Sequence, residues 1–110
     1  MLANVGDIYC VYVERIQQYT ACQVTMLEEP ISSKSRPLAA ILELDWIGDT
    51  LPDEAELHKM KPLICDYFFW NNKLEHYFAD ANVPPNYMLV GNLPPLTTET
   101  TNSYGESWKH

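Results

Sequence analysis

The sequence predicts an α+β fold: a bent antiparallel sheet, or an SH3-like partial barrel, of about five to six strands with one short helix. Runs rich in β-branched and aromatic residues, separated by short polar turns, outnumber the helix signals. A chain of 110 residues, 46% of them hydrophobic, is long and apolar enough for one domain. We expect a globular domain over residues 1–96 and a polar C-terminal tail over residues 97–110.

The first two predicted strands form a hairpin. Asp7 to Glu14 is dense in apolar residues on both faces, which favours an interior position in the sheet. Tyr19 to Leu27 alternates, which places Cys22, Val24 and Met26 together on the side that we expect to face the core. The polar residues between the two strands are few enough for an antiparallel turn.

A third strand and a helix follow a loop rich in Pro and Ser. The strand is predicted over Leu38 to Trp46. After Gly48 the chain has the features of a helix start, with Thr50 as the candidate N-cap and Pro52 in the first turn. Pro62 ends this helix, which therefore has at most about ten residues.

A second hairpin is predicted around Asn71 and Asn72, because Asn tolerates the positive φ angles of a two-residue turn. Its strands would be Cys65 to Trp70 and Lys73 to Ala79. A last short strand is expected over Tyr87 to Val90, between two segments that contain paired prolines.

The charge of the chain restricts the classes of partner. Fifteen acidic residues stand against seven basic ones, for a net charge of −8, which argues against binding to nucleic acid or anionic lipid and favours a positively charged partner. The apolar runs, such as Leu38 to Leu42, are far shorter than the ~20 residues that span a bilayer. The N-terminus lacks the charged and apolar regions of a secretory signal, so we expect a cytoplasmic protein.

Acidic residues are concentrated between Glu43 and Glu56, a stretch that contains no Lys or Arg. A calcium loop is disfavoured there, because the required alternation of ligands around a Gly is missing. The simple interpretation is a solvated helix start and strand face. The functional interpretation is a docking surface for a basic partner. Its binding residues would be Asp45, Asp49, Asp53, Glu54 and Glu56.

Aromatic residues cluster on the outer face of the second predicted hairpin. Phe68, Trp70 and Tyr77 lie there with Asp66 and Glu75 among them. Aromatic side chains bordered by carboxylates are typical of an interface hot spot, so Phe68 and Trp70 complete the predicted partner-binding residues. In the alternative interpretation the C-terminal tail covers this face as ordinary core.

No catalytic motif, metal motif or cofactor motif is recognisable, and we expect a protein that is not an enzyme and needs no cofactor or metal. Cys10, Cys22 and Cys65 are odd in number and irregularly spaced, which is typical of buried thiols. A bridge between Cys10 and Cys22 is the less favoured alternative. A nucleophilic pair of Cys65 and His76 is another, less favoured than a core thiol and a hydrogen-bonded histidine.

Three segments resemble small bacterial immunity proteins of polymorphic or contact-dependent toxin systems. They are V-G-D-I-Y-x-V at Val5 to Val11, P-L-x-x-D-Y-F-F-W-N-N at Pro62 to Asn72, and V-P-P-N-Y-x-L-V-G-N-L-P-P-L at Val83 to Leu96. The resemblance implies a cytoplasmic antitoxin that binds one toxin domain and blocks it. In such families an acidic face commonly matches a basic nuclease site.

Two alternatives come from other functional classes. One is a small enzyme or ligand-binding module that uses a pocket in the barrel-like sheet, which would need a concave cavity with converging polar groups. The other is a homo-oligomeric structural subunit that pairs through the aromatic hairpin face. A neighbouring reading frame with a variable C-terminal toxin domain would favour the immunity protein over both.

Overall fold

The computed structural model describes residues 2–29, 36–67, 70–99, 101, 103–105 and 107–110, with 65–67 and 70–73 described by their backbone alone. It contains seven strands and one helix in the described ranges. The strands are β1 (Asp7–Val13), β2 (Gln18–Glu28), β3 (Leu38–Gly48), β4 (Ile64–Tyr67), β5 (Trp70–Leu74), β6 (His76–Asp80) and β7 (Tyr87–Asn92), and the helix is α1 (Glu54–Leu57).

The main sheet has five strands in the order β6-β3-β2-β1-β7, and β4 and β5 form a separate pair. Every pairing in the main sheet is antiparallel. The prediction of an antiparallel sheet with one short helix is therefore confirmed. The first three predicted strands and the last one match β1, β2, β3 and β7 to within two residues at each end.

Both faces of the sheet are buried at its centre. On one side, which we call the first face, Tyr9, Cys22 and Ile41 belong to one core cluster. On the other side, the second face, Ile8 and Leu42 belong to a second cluster. The interior position predicted for β1 is confirmed by these two clusters. The same arrangement explains why β2 is buried on both sides, although its alternation predicted a single core-facing side.

The first face is covered by the C-terminal residues, which were expected to form a polar tail. Trp108 is only 5% exposed. Its ring lies edge-on to Tyr87 at 4.9 Å and to Tyr9 at 5.4 Å between centroids. Its indole N–H donates to the carbonyl oxygen of Asp80 at 2.8 Å. Trp108 thus anchors an otherwise polar segment on the sheet, together with the backbone N–H groups of Lys109 and His110, which donate to the hydroxyls of Tyr77 and Tyr87.

The second face is covered by α1 and the turn after it, through Leu57 and Met60. Leu93, which follows β7, packs against the same cluster. Gln23 is fully buried beside them. Its side-chain amide donates to the carbonyl of Leu93 at 3.0 Å and accepts from the N–H of Leu96 at 2.9 Å. These bonds satisfy the buried amide and fix the chain after β7 against β2.

The start of the helix differs from the prediction. Asp53, not Thr50, is the N-cap, and its carboxylate accepts from the N–H of Glu56 at 2.8 Å. Pro52 therefore precedes the cap instead of lying in the first turn. Asp is among the strongest N-cap residues, and its charge is favourable at the positive end of the helix. The helix has four residues, within the predicted limit.

The prediction of a turn at Asn71 and Asn72 is wrong. Tyr67 pairs with Trp70, and both asparagines lie inside β5. The predicted second arm is also divided, because His76 to Asp80 forms β6 and pairs with β3. The residues of β3 that pair with β6 include Ala39 to Leu42, which are fully buried, so this pairing brings β6 against the apolar core.

Candidate functional site

The predicted acidic residues follow one another along one exposed segment, but not all on one side of the sheet: Asp45 is on the side of the first face, whereas Glu56 bonds to Trp46 on the second face. We call residues 45–56 the acidic segment; it runs from the end of β3 through a loop into α1. All five of its carboxylate side chains belong to residues that are exposed. Exposure is what both interpretations of the sequence require, the solvated surface and the docking surface. The residues are Asp45, Asp49, Asp53, Glu54 and Glu56.

Three of these carboxylates also shape the segment. Asp49 accepts from the side-chain amide of Gln18 at 3.2 Å, and Asp53 caps α1. Glu56 accepts from the indole N–H of Trp46 at 3.2 Å. Substitution of any of the three would therefore change structure as well as charge.

The carboxylates of Asp45 and Glu54 differ from these three, since neither is a partner in the hydrogen bonds that shape the segment. The side chain of Glu54 is 91% exposed and lies 4.0 Å from the His58 ring as its nearest ion-pair partner. The backbone N–H of Asp45 donates to the carbonyl of Lys61 at 2.7 Å, which fixes its place without using its carboxylate. These two residues are the clearest positions at which to test charge alone.

Glu43 is in the acidic stretch of the sequence but does not belong to the surface. It lies on the first face, only 6% exposed, and accepts from the hydroxyl of Tyr77 at 3.2 Å. Burial raises the pKa of Glu43 to about 7, against the lowering effects of Tyr77 and Lys109. The ring of His110 lies 3.9 Å away. Burial lowers the pKa of His110, so both groups are shifted toward their neutral forms.

Tyr77, predicted on the outer aromatic face, is instead buried in the first core cluster under the C-terminal residues, as the alternative interpretation expected. The two aromatic residues of the predicted site lie outside the described residues. This applies to Phe68 as a whole and to the side chain of Trp70, whose backbone is in β5. Their role in binding stays a prediction.

Within the acidic segment itself, two apolar side chains are exposed, Ile47 at 58% and Leu51 at 41%. Ile47 lies on the same side of β3 as Asp45, so these two residues combine apolar area and charge on that side.

A second aromatic group, which the sequence did not predict, lies beside the acidic segment. We call Tyr12, Tyr19 and Trp46 the aromatic row. Tyr12 pairs with Tyr19, and Tyr19 pairs with Gly48, so Tyr12, Tyr19 and Gly48 lie side by side on three adjacent strands. The rings of Tyr12 and Tyr19 meet edge-on, with 5.1 Å between centroids. Trp46 lies over Gly48 and bonds to Glu56, which joins the row to the acidic segment.

Part of this row could be found from sequence. A short turn between β1 and β2 brings Tyr12 opposite Tyr19 in any hairpin with that register. The third ring could not be placed in the same way. β2 and β3 pair with two register shifts, and these decide that Gly48 lies opposite Tyr19.

The structure does not support the alternative with a disulfide. Cys22 is opposite Tyr9 and Cys10 is opposite Ala21, so the two thiols point to opposite faces of the sheet. Both are free and buried. Burial raises the pKa of Cys10 to about 12 and that of Cys22 well above its usual value. Neither is an activated nucleophile.

The predicted pair of Cys65 and His76 depends on the side chain of Cys65, which lies outside the described residues. His76 lies 2.7 Å from the hydroxyl of Thr25, and burial lowers its pKa. This is the hydrogen-bonded histidine of the simpler interpretation. Within the described ranges, no group of three or more His, Cys, Asp or Glu residues could hold a metal.

An open pocket of about 340 Å³ lies between α1 and β7. Leu57, Val90 and Leu93 contribute apolar lining, and Glu54 and His58 contribute polar groups. Its volume is at the lower end of ligand sites, and the side chains of Glu54 and His58 are more than half exposed. A third polar lining residue, Asn92, uses its side-chain amide to donate to the carbonyl of Val5 and the carboxylate of Asp7. The converging buried polar groups of an enclosed ligand site are therefore not found at this position.

None of the helices in the described part of the chain is both long enough and apolar enough to cross a membrane. Comparison of the chain with protein-family models, with curated proteins and with solved structures found no match. The function is therefore derived from the geometry of the acidic segment and the aromatic row.

Proposed function

We propose that this protein is a binding module that docks a basic protein domain through the acidic segment, and that this partner is a toxin domain that it neutralises as a cytoplasmic immunity protein. The observation that supports docking over a merely solvated surface is that two exposed apolar side chains, Ile47 and Leu51, occur in the same segment as five exposed carboxylates and no Lys or Arg. In a chain of net charge −8, this concentration attracts a positively charged surface.

Charge and apolar contact have different effects in this proposal. Exposed carboxylates steer the encounter and select the sign of the partner, and salt screens them over ~8 Å at physiological ionic strength. Short-range binding energy comes from side chains that lose water on contact. Ile47 and Leu51 supply such area inside the segment, with the aromatic row next to it.

The toxin part of the proposal rests on the resemblance to immunity proteins in the segments that begin at Val5, Pro62 and Val83. An acidic binding surface is what such an inhibitor needs against a basic nuclease site.

We also propose that the register shifts between β2 and β3 bend the sheet toward the SH3-like partial barrel, since bulges increase strand twist.

The test measures association and dissociation rates against the toxin domain encoded beside this gene, at low and at physiological salt. The variant is Asp45→Lys combined with Glu54→Lys, which leaves the Asp53 cap and the Glu56 bond intact. We expect the association rate at low salt to fall about tenfold, because a steering charge is reversed. The loss should shrink as salt rises.

The matched control is Glu28→Lys combined with Glu29→Lys. It makes the same change in net charge at the opposite end of β2, where Glu28 pairs with Leu38. Its association rate should stay much closer to that of the parent. A folded Asp45 and Glu54 variant that associates as fast as the parent at both salt concentrations would contradict the proposal. Self-association of the parent without toxin binding would favour the homo-oligomeric subunit.

A further inference from the structure

The aromatic row crosses three adjacent strands on the second face of the sheet. Tyr12 is on β1, Tyr19 on β2 and Trp46 on β3. Neighbouring strands are about 4.8 Å apart, so the row extends over about 10 Å. Tyr12 is 44% exposed, while Tyr19 and Trp46 are half-buried against the second core cluster. The rings are therefore held in place by the core and partly open to solvent.

Carboxylates lie at the row. Glu56 accepts from the indole N–H of Trp46, which uses one of about four acceptor positions on a carboxylate. Asp49 is bonded to Gln18, the residue next to Tyr19. The electron-rich faces of aromatic rings and the negative charge of carboxylates both attract a cation.

The basic residue nearest to Tyr12 in the sequence interacts with a different part of the molecule. Arg15 is in the turn after β1, three residues from Tyr12. It lies close enough to His110 to lower the pKa of that histidine. His110 contacts Glu43 on the first face, opposite to the row.

We propose that the aromatic row binds an extended, arginine-bearing segment of the basic partner. One guanidinium stacks on the exposed face of the Tyr12 ring, and a second stacks on the Trp46 ring and bonds to the carboxylate of Glu56, which keeps its bond to the Trp46 indole. This inference rests on the proposed function, since it states what the partner presents to the surface. The two guanidinium positions on the row are about 10 Å apart. In an extended chain, residues i and i+2 are about 7 Å apart, and the length of the arginine side chains covers the difference.

Arginine fits this surface better than lysine. Its guanidinium is planar, stacks on aromatic faces and forms paired hydrogen bonds with a carboxylate. A lysine ammonium is a compact, strongly hydrated charge that does neither. The proposal therefore specifies the side chain of the partner as well as its sign.

The test uses short peptides and the full chain. Acetyl-Arg-Thr-Arg-amide is titrated while the resonances of the Trp46 indole N–H and of the Tyr12 and Tyr19 rings are followed by NMR. The matched peptide carries citrulline in place of both arginines, which keeps the shape and removes the charge. We expect the arginine peptide to bind about tenfold more tightly than the citrulline peptide, and more tightly than a lysine peptide.

Variants of the protein localise the binding. Tyr12→Leu should weaken the arginine peptide about threefold or more, whereas Tyr12→Phe keeps the ring and should bind like the parent. Tyr104→Leu is the control, because Tyr104 is 66% exposed and stacks on Phe78 away from the row. Any of three results would overturn the inference. The resonances of the row would not shift at millimolar arginine peptide, the citrulline peptide would bind as tightly as the arginine peptide, or Tyr12→Leu would bind the arginine peptide as tightly as the parent.

Failure of this inference differs from failure of the proposed function. If reversal of Asp45 and Glu54 slows toxin association but Tyr12→Leu changes neither peptide binding nor toxin dissociation, the row has no role and the acidic docking stands. If the peptide binds the row while the charge reversal leaves toxin association unchanged, the acidic docking is wrong.

Discussion

The indole of Trp46 occupies the space that a side chain would need at Gly48. A Cβ atom built on Gly48 would lie 2.7 Å from Cζ2 and 2.9 Å from Cη2 of Trp46. The glycine is therefore required by close approach of a ring, at the position that pairs with Tyr19. The aromatic row is continuous because this one residue has no side chain.

Gly48→Ala should displace the Trp46 indole and break its bond to Glu56. We expect a loss of about 1–3 kcal/mol in the free energy of unfolding, the usual cost of inserting a methyl group into a packed position. Urea unfolding measures the loss, and the indole N–H resonance of Trp46 reports the displacement. Gly91→Ala is the control, since its Cβ would meet only the end of the Leu57 side chain, at 3.0 Å. An unmoved indole in Gly48→Ala would contradict the prediction.

Trp108→Ala should destabilise the whole domain, because the ring packs between Tyr9 and Tyr87 at 5% exposure. We expect a loss of about 3–5 kcal/mol in urea unfolding. Trp108→Phe keeps a ring and loses the bond to Asp80, so it should lose less. Tyr104→Ala, at an exposed aromatic residue of the same segment, should cost about 1 kcal/mol or less. A Trp108→Ala variant as stable as the parent would show that the C-terminal residues do not belong to the core.

Glu43 should make the protein less stable as pH rises from about 4.5 to about 7. Its folded pKa of about 7 is above the usual 4.5, so the folded state keeps a proton that the unfolded state has released. The contribution is fully present below pH 4.5 and lost above about pH 7, on the order of 3 kcal/mol in total. Beside burial, the groups that shift the pKa of Glu43 are Tyr77, Lys109 and Glu75, and the side chains of His110 and Cys22 lie near it.

The measurement is the free energy of unfolding of Glu43→Gln and the parent at pH 5 and pH 8. The variant should lose less stability than the parent between the two values, because the amide does not titrate. Glu54→Gln makes the same chemical change on an exposed side chain and should follow the parent. Equal pH dependence of Glu43→Gln and the parent would refute this account of Glu43.

Cys10 and Cys22 should be inert in the folded protein. In a Cys65→Ser background they are the remaining thiols, buried on opposite faces with raised pKa values. We expect a thiol reagent at pH 8 to modify them only at the rate of unfolding, and to modify both promptly in urea. Replacement of either by Ala should lower stability and leave partner binding intact. Prompt labelling of either thiol in the folded state would show that burial does not protect it.

Some features of the candidate site follow from the local sequence, and others depend on pairing between distant segments. The exposure of the acidic residues followed from their density in the sequence, since five carboxylates in twelve residues cannot be buried without partners. The aromatic row depends on the register between β2 and β3, and no local pattern indicates where a strand will shift. In the sequence, no local pattern indicates that Glu43 is buried and the acidic residues after it are exposed. That difference comes from the packing on the first face.

The sequence by itself determined the spans of β1, β2, β3 and β7 and the short length of α1, because alternation and prolines act within a few residues. The tertiary structure decided which strand His76 to Asp80 would join, and therefore that Asn71 and Asn72 are not a turn. It also decided that Trp108 completes the core. In each case the outcome was determined by the apolar surface that distant segments bury together, a quantity that depends on the whole chain and not on any one stretch of it.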